Sequence, residues 1–424
     1  MPPPAGSNPL TRGLRVAVLD REFPPPEPFC PPPIPGLRVS TLTPASAQLL
    51  AGAGAWQHLA PPRVAPFHDM EVWDAGGGGF MRFNAHALAR GAMGWVAENA
   101  AVASALAREV RAPGSNVELL EGCGIAAAAL PPYRGALGGE LAALRLEGGG
   151  REVRARLVVG ADGAGSRVRQ LAGIRTRGRE YGQRGVVATV STAGEPNATA
   201  WQRFLPTGPL ALLPVRDGFS NVVWTTTPQH AAALEAASPA EFGAAVNAAL
   251  TGGAHYPPRG LAGALGPLEG LARMLGGGGG GGGEPPAGSI RSAAFVPPPM
   301  VLECVGPAPR SFPLVLRHAG RYVRPRVALV GDAAHAVHPL AGQGVNLGLG
   351  DVRALVQAIA DAGARVQRTL PVPVPCRAPG ATAQLQLGEG ASKRGARRIR
   401  CGLTTACLPP FYHLQWSRGG TWAT

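Results

Sequence analysis

The 424-residue chain has no stretch of 18 or more consecutive apolar residues, which excludes an ordinary transmembrane helix. Its six cysteines (Cys30, Cys123, Cys304, Cys376, Cys401 and Cys407) form no C-x-x-C pair. Neither a zinc site nor a disulfide framework is therefore indicated, and a reducing compartment fits best. Of the 40 basic side chains only Lys393 is a lysine, and the chain holds 61 glycines and 44 prolines. That skew looks like base-composition bias, so a single arginine or glycine carries less information than usual. The opening, Met1 to Gly13, is proline-rich with little amphipathic pattern and reads as neither a secretory signal nor a targeting presequence.

The net charge of +14 invites a nucleic-acid or anionic-membrane partner. Residues 365–424, however, hold nine basic side chains and one acidic one and so supply +8 of it. Elsewhere the arginines are scattered, with no basic cluster interleaved with aromatics, and no nucleic-acid partner is expected.

What is present reads as α/β. Leu14 to Asp20 is a short apolar, β-rich run ending in an acid, as in a buried parallel strand. Residues 44–59 and 85–110 have helical patterns, and 67–74 and 79–83 read as strands. The run 153–173, VRARLVVGADGAGSRVRQLAG, is a strand, a glycine-rich turn and a helix. Short apolar segments at 186–190, 201–205, 210–215 and 221–227 read as an antiparallel sheet. Residues 252–288 include eight consecutive glycines, Gly276 to Gly283, and read as a flexible insertion. A strand at 326–330 and a helix at 344–362 follow, and 365–424 is aperiodic.

The strongest signal is Arg326 to Asp351, RVALVGDAAHAVHPLAGQGVNLGLGD. A strand there delivers Asp332 to its carboxyl end, where a carboxylate can accept a hydrogen bond from a ribose or ribitol hydroxyl. Gly342 and Gly344 admit a flat ligand close to the backbone, and the next helix turns its positive end toward any negative charge on it. His335 and His338 have metal-ligand spacing, but no third ligand accompanies them, so no metal is expected. Trp201 and Trp224 read as sheet core rather than stacking residues. Arg203 has two open readings, a partner for an anionic substrate group or an exposed side chain.

The block GDAAHxxHPLAGQGVNLGLGD resembles the hallmark of the ubiquinone-biosynthesis branch of the class A flavoprotein monooxygenases. Arg38-Val39-Ser40, MEVWD (70–74), GWVAEN (94–99), GADGAGSR (160–167), WQRFLP (201–206) and ALLP (211–214) resemble it too, in family order. The resemblance implies a Rossmann-like FAD-binding domain of the p-hydroxybenzoate hydroxylase type (14–66, 84–174 and 322–364). A substrate domain with an antiparallel β-sheet (67–83 and 175–321) would complete the fold. It further implies that Asp332 binds ribitol, that Gly331 belongs to the cofactor site, and that Gly342, Gln343, Gly344 and Asn346 lie against the flavin ring with Pro339 on its reactive face. Gly160, Asp162 and Gly163 would brace the cofactor, Asp20 would hold the adenosine ribose, and Arg38 would reach toward the cofactor. FAD and NAD(P)H, or a ferredoxin system in place of NAD(P)H, would serve a polyprenylated 4-hydroxybenzoate-type substrate. The implied setting is the matrix face of the mitochondrial inner membrane, in peripheral contact and alongside other ubiquinone-biosynthesis enzymes.

Such a domain opens with a strand, a G-x-G-x-x-G turn and a helix under the pyrophosphate. Only 13 residues precede the strand that begins at Leu14, and none forms that motif. Losing a central strand's four or five aliphatic side chains would forfeit on the order of 10 kcal/mol. The expectation is an N-terminally truncated domain, with a missed upstream exon and a read-through or shifted frame after about residue 364. No side-chain catalyst is expected, because the chemistry is the cofactor's. Beside the hydroxylase stand a non-catalytic relative serving as a subunit of a biosynthetic assembly, and a hydroxylase of a soluble phenol.

Overall fold

The fold is described from a computed structural model covering residues 11–369 apart from 12, 60–62, 132–139, 149, 195–197, 259–294 and 341. The poly-glycine run and the stretch beyond residue 369 lie outside the described residues.

Two parallel ribbons come from the apolar runs that lead into turns. β1 (Val16–Leu19) pairs with β7 (Val117–Leu120). β11 (Val158–Gly160) pairs with β18 (Val327–Leu329), and β17 (Val323–Arg324) lies antiparallel on the far side of β18. A three-stranded meander of β8 (Ile125–Ala129), β9 (Ala142–Leu146) and β10 (Glu152–Ala155) shares a core with the second ribbon, built around Leu144, Val158, Val168 and Leu329. A further antiparallel sheet, β2 (Val39–Leu42), β6 (Gly94–Glu98) and β3 (Val64–Phe67), packs beneath α1 (Pro44–Gly52) and α2 (Asn99–Arg111).

The large element is an eight-stranded sheet in the order β19-β16-β12-β15-β14-β13-β4-β5. β4 (Asp69–Asp74) and β5 (Phe80–Asn84) lie far from the rest in sequence. β12 (Thr176–Thr192), β13 (Thr199–Leu205), β14 (Gly208–Pro214), β15 (Phe219–Thr226), β16 (Val301–Ala319) and β19 (His335–Ala336) complete it. All neighbours are antiparallel except β13 and β4. One face is sealed by α4 (Pro228–Ala236) and α5 (Pro239–Thr251), with Trp73, Trp201, Trp224 and Phe242 in the core between. α5 begins with a capping box, in which the Ser238 side chain and Glu241 satisfy each other's backbone donors. Close approach of β12 to β16 requires glycine at 178, where a Cβ would meet the Leu316 carbonyl oxygen at 1.9 Å.

The helix expected over 85–110 is instead a single 3-10 turn, the strand β6 and then α2. The alanine-rich composition suits a helix, but Gly94-Trp95-Val96-Ala97 alternates like a strand. A Cβ at 94 would lie 2.8 Å from the Leu42 carbonyl and 2.9 Å from the Phe67 ring, so the backbone is packed too closely for any other residue. The helix expected over 44–59 stops at Gly52, after which Gly54 at φ +81° and a 3-10 turn redirect the chain. The last helix, α6 (Gly344–Thr369), runs past the expected end at 362.

Two outcomes follow from this packing. Phe242 is fully buried beneath α5, and Phe242→Ala is expected to cost about 3–5 kcal/mol in denaturant unfolding. Glu71 on β4 is also fully buried. Arg82 Nε lies 3.3 Å from its carboxylate, without hydrogen-bond geometry. Burial pushes the Glu71 carboxyl up to about 7, against the opposing pull of Arg82. The folded state thus holds a proton that the unfolded state releases near the ordinary Glu value. Stability is expected to be full below about pH 4.5 and to fall by up to about 3 kcal/mol as pH rises to about 7. Urea unfolding against pH measures this, and Glu71→Gln should flatten that part of the profile.

Candidate functional site

β11 and β18 lie side by side in register, Gly160 opposite Leu329, so their glycine turns emerge together at the carboxyl ends of two adjacent parallel strands. Open α/β sheets place their ligands in this position. Gly160 is fixed by packing, because a Cβ there would meet Leu329 Cδ2 at 2.7 Å and Val168 at 3.0 Å. Gly163 has φ +77°, a conformation that only glycine adopts freely. Asp162 turns inward to the short helix α3 (Arg167–Leu171). Its carboxylate accepts from Ser166 Oγ (2.5 Å), Arg167 N–H (2.6 Å) and Val168 N–H (3.0 Å), so all of these bonds cap the helix.

The second turn is built from the opposite side. Gly331 has φ +57°, and its N–H donates to Asp351 Oδ2 (2.9 Å), which also binds His335 Nε2 (2.7 Å). The backbones of Gly331 and Gly348 approach so closely that a Cβ on Gly348 would lie 3.2 Å from the Gly331 Cα. The first half of α6 is thereby pinned against the turn. Asp332 itself is exposed, and among the described residues its carboxylate makes no hydrogen bond or ion pair. It is free to accept from a hydroxyl.

The glycine loop before α6 is held by Asn346. Its Nδ2 donates to the carbonyls of Thr41 (2.7 Å) and Gly342 (3.1 Å), while its Oδ1 accepts from Thr43 N–H (3.0 Å) and Ser46 Oγ (2.7 Å). The side chain expected against the flavin ring is thus engaged in joining the loop to β2 and α1. Gly342 has φ +59°, and its N–H donates to the Pro339 carbonyl (3.3 Å). Pro339 and Gln343 are half-buried beside it. α6 then starts at Gly344 with no acid in its first turn, leaving its positive end unopposed.

Arg38 is exposed at the start of β2, with its carbonyl accepting from Asn99 N–H (2.9 Å). Asp20 caps the end of β1 on the other ribbon, accepting from Arg21 N–H (2.7 Å). Arg203 is neither exposed nor turned toward the glycine turns. It is 1% exposed and donates to the carbonyls of Ala249 (2.9 Å) and Gly252 (2.7 Å), closing the end of α5. Burial lowers its affinity for the proton. Trp201 lies in the same core, with its indole N–H on the Val296 carbonyl (3.0 Å). His335 and His338 part company, the first on Asp351 and the second edge-on to Tyr181, with ring centroids 5.0 Å apart.

Sequence reasoning missed Arg169. It is buried, and its guanidinium donates to the carbonyls of Ala333 (2.9 Å) and Ala164 (2.8 Å), bridging the two glycine turns. Only its position in the turn-to-helix segment could have marked it. Asp351 closed the sequence block without a role of its own, and geometry supplies one. These features fit a flavin: a free carboxylate for ribitol, glycine backbones for a flat ring and a helix start for negative charge. Asp351→Ala leaves Gly331 N–H and His335 without their charged acceptor and is expected to cost about 2–3 kcal/mol. Asp351→Asn, which keeps an acceptor for Gly331, should cost less than half as much; urea unfolding of the two variants checks the order.

The chain matches the family described as FAD binding domain over residues 138–252 and 309–368. It is 40% identical to the human mitochondrial ubiquinone biosynthesis monooxygenase COQ6 over 77% of this chain and 66% of that protein. For the protein of the same name from Xenopus tropicalis the figures are 36%, 77% and 67%. The 3-demethoxyubiquinol 3-hydroxylase of Escherichia coli is 32% identical over 82% of this chain and 74% of that protein. Among solved structures, PqsL of Pseudomonas aeruginosa, a probable FAD-dependent monooxygenase, superposes with a TM-score of 0.57 at 22% identity, covering 85% of this chain and 82% of that one. The p-nitrophenol 4-monooxygenase PnpA of Pseudomonas putida superposes with a TM-score of 0.54 at 20% identity, covering 84% and 76%. At those identities the structures share the fold, while the curated relatives carry the family. The chain belongs to the FAD-dependent monooxygenases of ubiquinone biosynthesis.

Proposed function

We propose that the protein hydroxylates the aromatic ring of a polyprenylated 4-hydroxybenzoate-type intermediate in ubiquinone biosynthesis. The observation that carries the reading is the Asp332 carboxylate, which among the described residues makes no hydrogen bond or ion pair, in the turn after β18 whose Gly331 N–H is held by Asp351 of α6. When bound, FAD would supply the activation of dioxygen, one atom of which enters an electron-rich ring while the other leaves as water with two electrons from the reductant. The chain's own residues bind and orient. Asp332 would accept from ribitol, the Gly342–Gly344 backbone and Pro339 would line the ring, and the first amides of α6 would favour negative charge there. Gly160, Asp162 and Gly163 shape the neighbouring turn, while Asp20 would hold the adenosine ribose and Arg38 would reach toward the cofactor. The FAD-binding part comprises 14–66, 84–174 and 322–364, and the substrate part 67–83 and 175–321.

Electrons come from NAD(P)H or a ferredoxin system. The relatives labelled mitochondrial support a mitochondrial place, and the setting we infer there is the matrix side of the inner membrane, in peripheral contact and beside other enzymes of the pathway. Among the described residues no helix is long and apolar enough to cross a membrane. A lipid-tailed substrate can be reached from the surface.

The test supplies the flavin-loaded protein with ¹⁸O₂, a reductant and a prenylated 4-hydroxybenzoate. One labelled oxygen on the product ring is expected. Rapid NADPH oxidation with small phenols and none with prenylated ones would make it a hydroxylase of soluble phenols. Protein isolated from its source with no flavin would make it a non-catalytic subunit.

A further inference from the structure

Two groups of arginines that lie far apart in sequence are brought together by the pairing of β12 with β16. Residues 175–184 and 310–326 hold nine arginines and a single acid, Glu180. Four of the nine turn to partners without charge. Arg184 donates to Ser311 Oγ (2.7 Å), Arg317 to the Ala164 carbonyl (2.6 Å), Arg324 to the Ala172 carbonyl and Arg326 to the Arg156 carbonyl (3.2 Å). Such partners satisfy N–H donors and leave the positive charge in place.

The remaining charge is concentrated on one face. Side chains two apart on a strand share a face, so Arg175, Arg177 and Arg179 stand on one side of β12 and Glu180 on the other. The ladder reaches Arg175, whose carbonyl accepts from Gly320 N–H (2.9 Å). Across it Arg177 stands beside His318 and Arg179 beside Leu316, and Arg321 follows in the turn after β16. All six side chains are exposed. Among the described residues the guanidinium groups of Arg175, Arg177 and Arg321 make no hydrogen bond or ion pair. Arg179 lies over the Tyr181 ring at 5.3 Å. The strip backs onto the glycine turns: His318 meets the Tyr322 hydroxyl (3.1 Å), and the Tyr322 ring packs against His335, with centroids 5.9 Å apart.

We propose that this strip docks an acidic protein surface, with carboxylates set opposite Arg175, Arg177 and Arg179. Arginines at alternate positions of a strand are fixed about 7 Å apart. A fixed row suits carboxylates that are themselves fixed, because the guanidinium fork pairs with a carboxylate through two parallel bonds. A bilayer, by contrast, is held by cations flanking large apolar side chains that enter it, and the strip's large aliphatic side chain is Leu316, only 36% exposed. The inference stands on the strip and does not depend on the hydroxylase reading.

The test titrates the full chain, by fluorescence anisotropy at low salt, with a labelled peptide of alternating glutamate and threonine, whose carboxylates recur at strand spacing. Its glutamine counterpart is the neutral control. The glutamate peptide is expected to bind saturably and the glutamine peptide at least tenfold more weakly. The double variant Arg175→Ala, Arg177→Ala should bind the glutamate peptide about tenfold more weakly, as the loss of two exposed charge pairs predicts. Lysine at both positions should recover only part of the affinity, since an ammonium lacks the fork. Both side chains are exposed, so these variants should melt as the parent does. Residues 365–424 are also basic, so Arg397→Ala, Arg398→Ala serves as the charge-matched control and should bind as the parent does. Absence of saturable binding, equal binding by Arg175→Ala, Arg177→Ala and the parent, or a loss confined to Arg397→Ala, Arg398→Ala overturns the proposal. Binding to phosphatidylglycerol vesicles that depends on Arg175 and Arg177, where peptide binding does not, would make the strip a lipid surface and also overturns it.

Discussion

Asp351 holds the site together. Its one carboxylate oxygen accepts from Gly331 N–H and from His335, so the turn that presents Asp332, the strand that follows it and the helix α6 are fixed to one another. Glycine at 348 eases the approach of helix to turn, since a Cβ there would lie 3.2 Å from the Gly331 Cα, and glycine at 331 adopts the φ of +57° that the turn requires. A buried hydrogen bond to a charged group contributes more than a neutral one and costs more when broken. Everything proposed for Asp332 presupposes this anchorage.

From that point the structure spreads through two other connections. Asn346 ties the glycine loop to β2 and α1, and Arg169 ties the two glycine turns to each other. The eight-stranded sheet is joined to the same frame by its longest strands. β16 runs from the helix-covered core at Val301 to its bridge with β19, whose His335 is the one held by Asp351. On the other side, Arg216, 7% exposed, reaches Glu98 at the end of β6 (3.0 Å), the Asp217 carboxylate and the Pro32 carbonyl. Thr189 and Asn221 donate to the carbonyls of Pro35 and Leu37. A buried ion pair is weak evidence of added stability, but removing either partner leaves an uncompensated charge. These bonds fix the sheet beside the segment that carries Arg38.

The α/β class, the antiparallel sheet and the strand–turn–helix around Gly160 and Gly331 were legible in the sequence because apolar runs broken by glycine leave few other choices. β6 was not, since alanine-rich sequence hides a strand whose reason for existing is a packing distance at Gly94. The full length of β12 and β16 was hidden too, because long strands that cross from a buried face to an exposed edge lose their alternation. At the site, motif reading pointed to the glycine turns but not to what each side chain in them bonds. Asp162 and Asn346 belong to the right turns, yet their hydrogen-bonding capacity is engaged within the protein. Arg203 looked like a candidate for anion binding, although nothing local in sequence could show that it closes the end of α5. Asp332 is the acid in these turns whose carboxylate has no partner among the described residues, and only the three-dimensional arrangement separates it from its neighbours.

The central claim is that this open carboxylate receives the ribitol of FAD. Equilibrium titration of the protein with FAD, followed by flavin fluorescence and compared with Asp332→Ala, tests it most directly. The account predicts saturable binding that weakens about tenfold or more in the variant while the melting temperature holds, since among the described residues the Asp332 carboxylate makes no hydrogen bond or ion pair. Equal FAD affinity in the two proteins would contradict it.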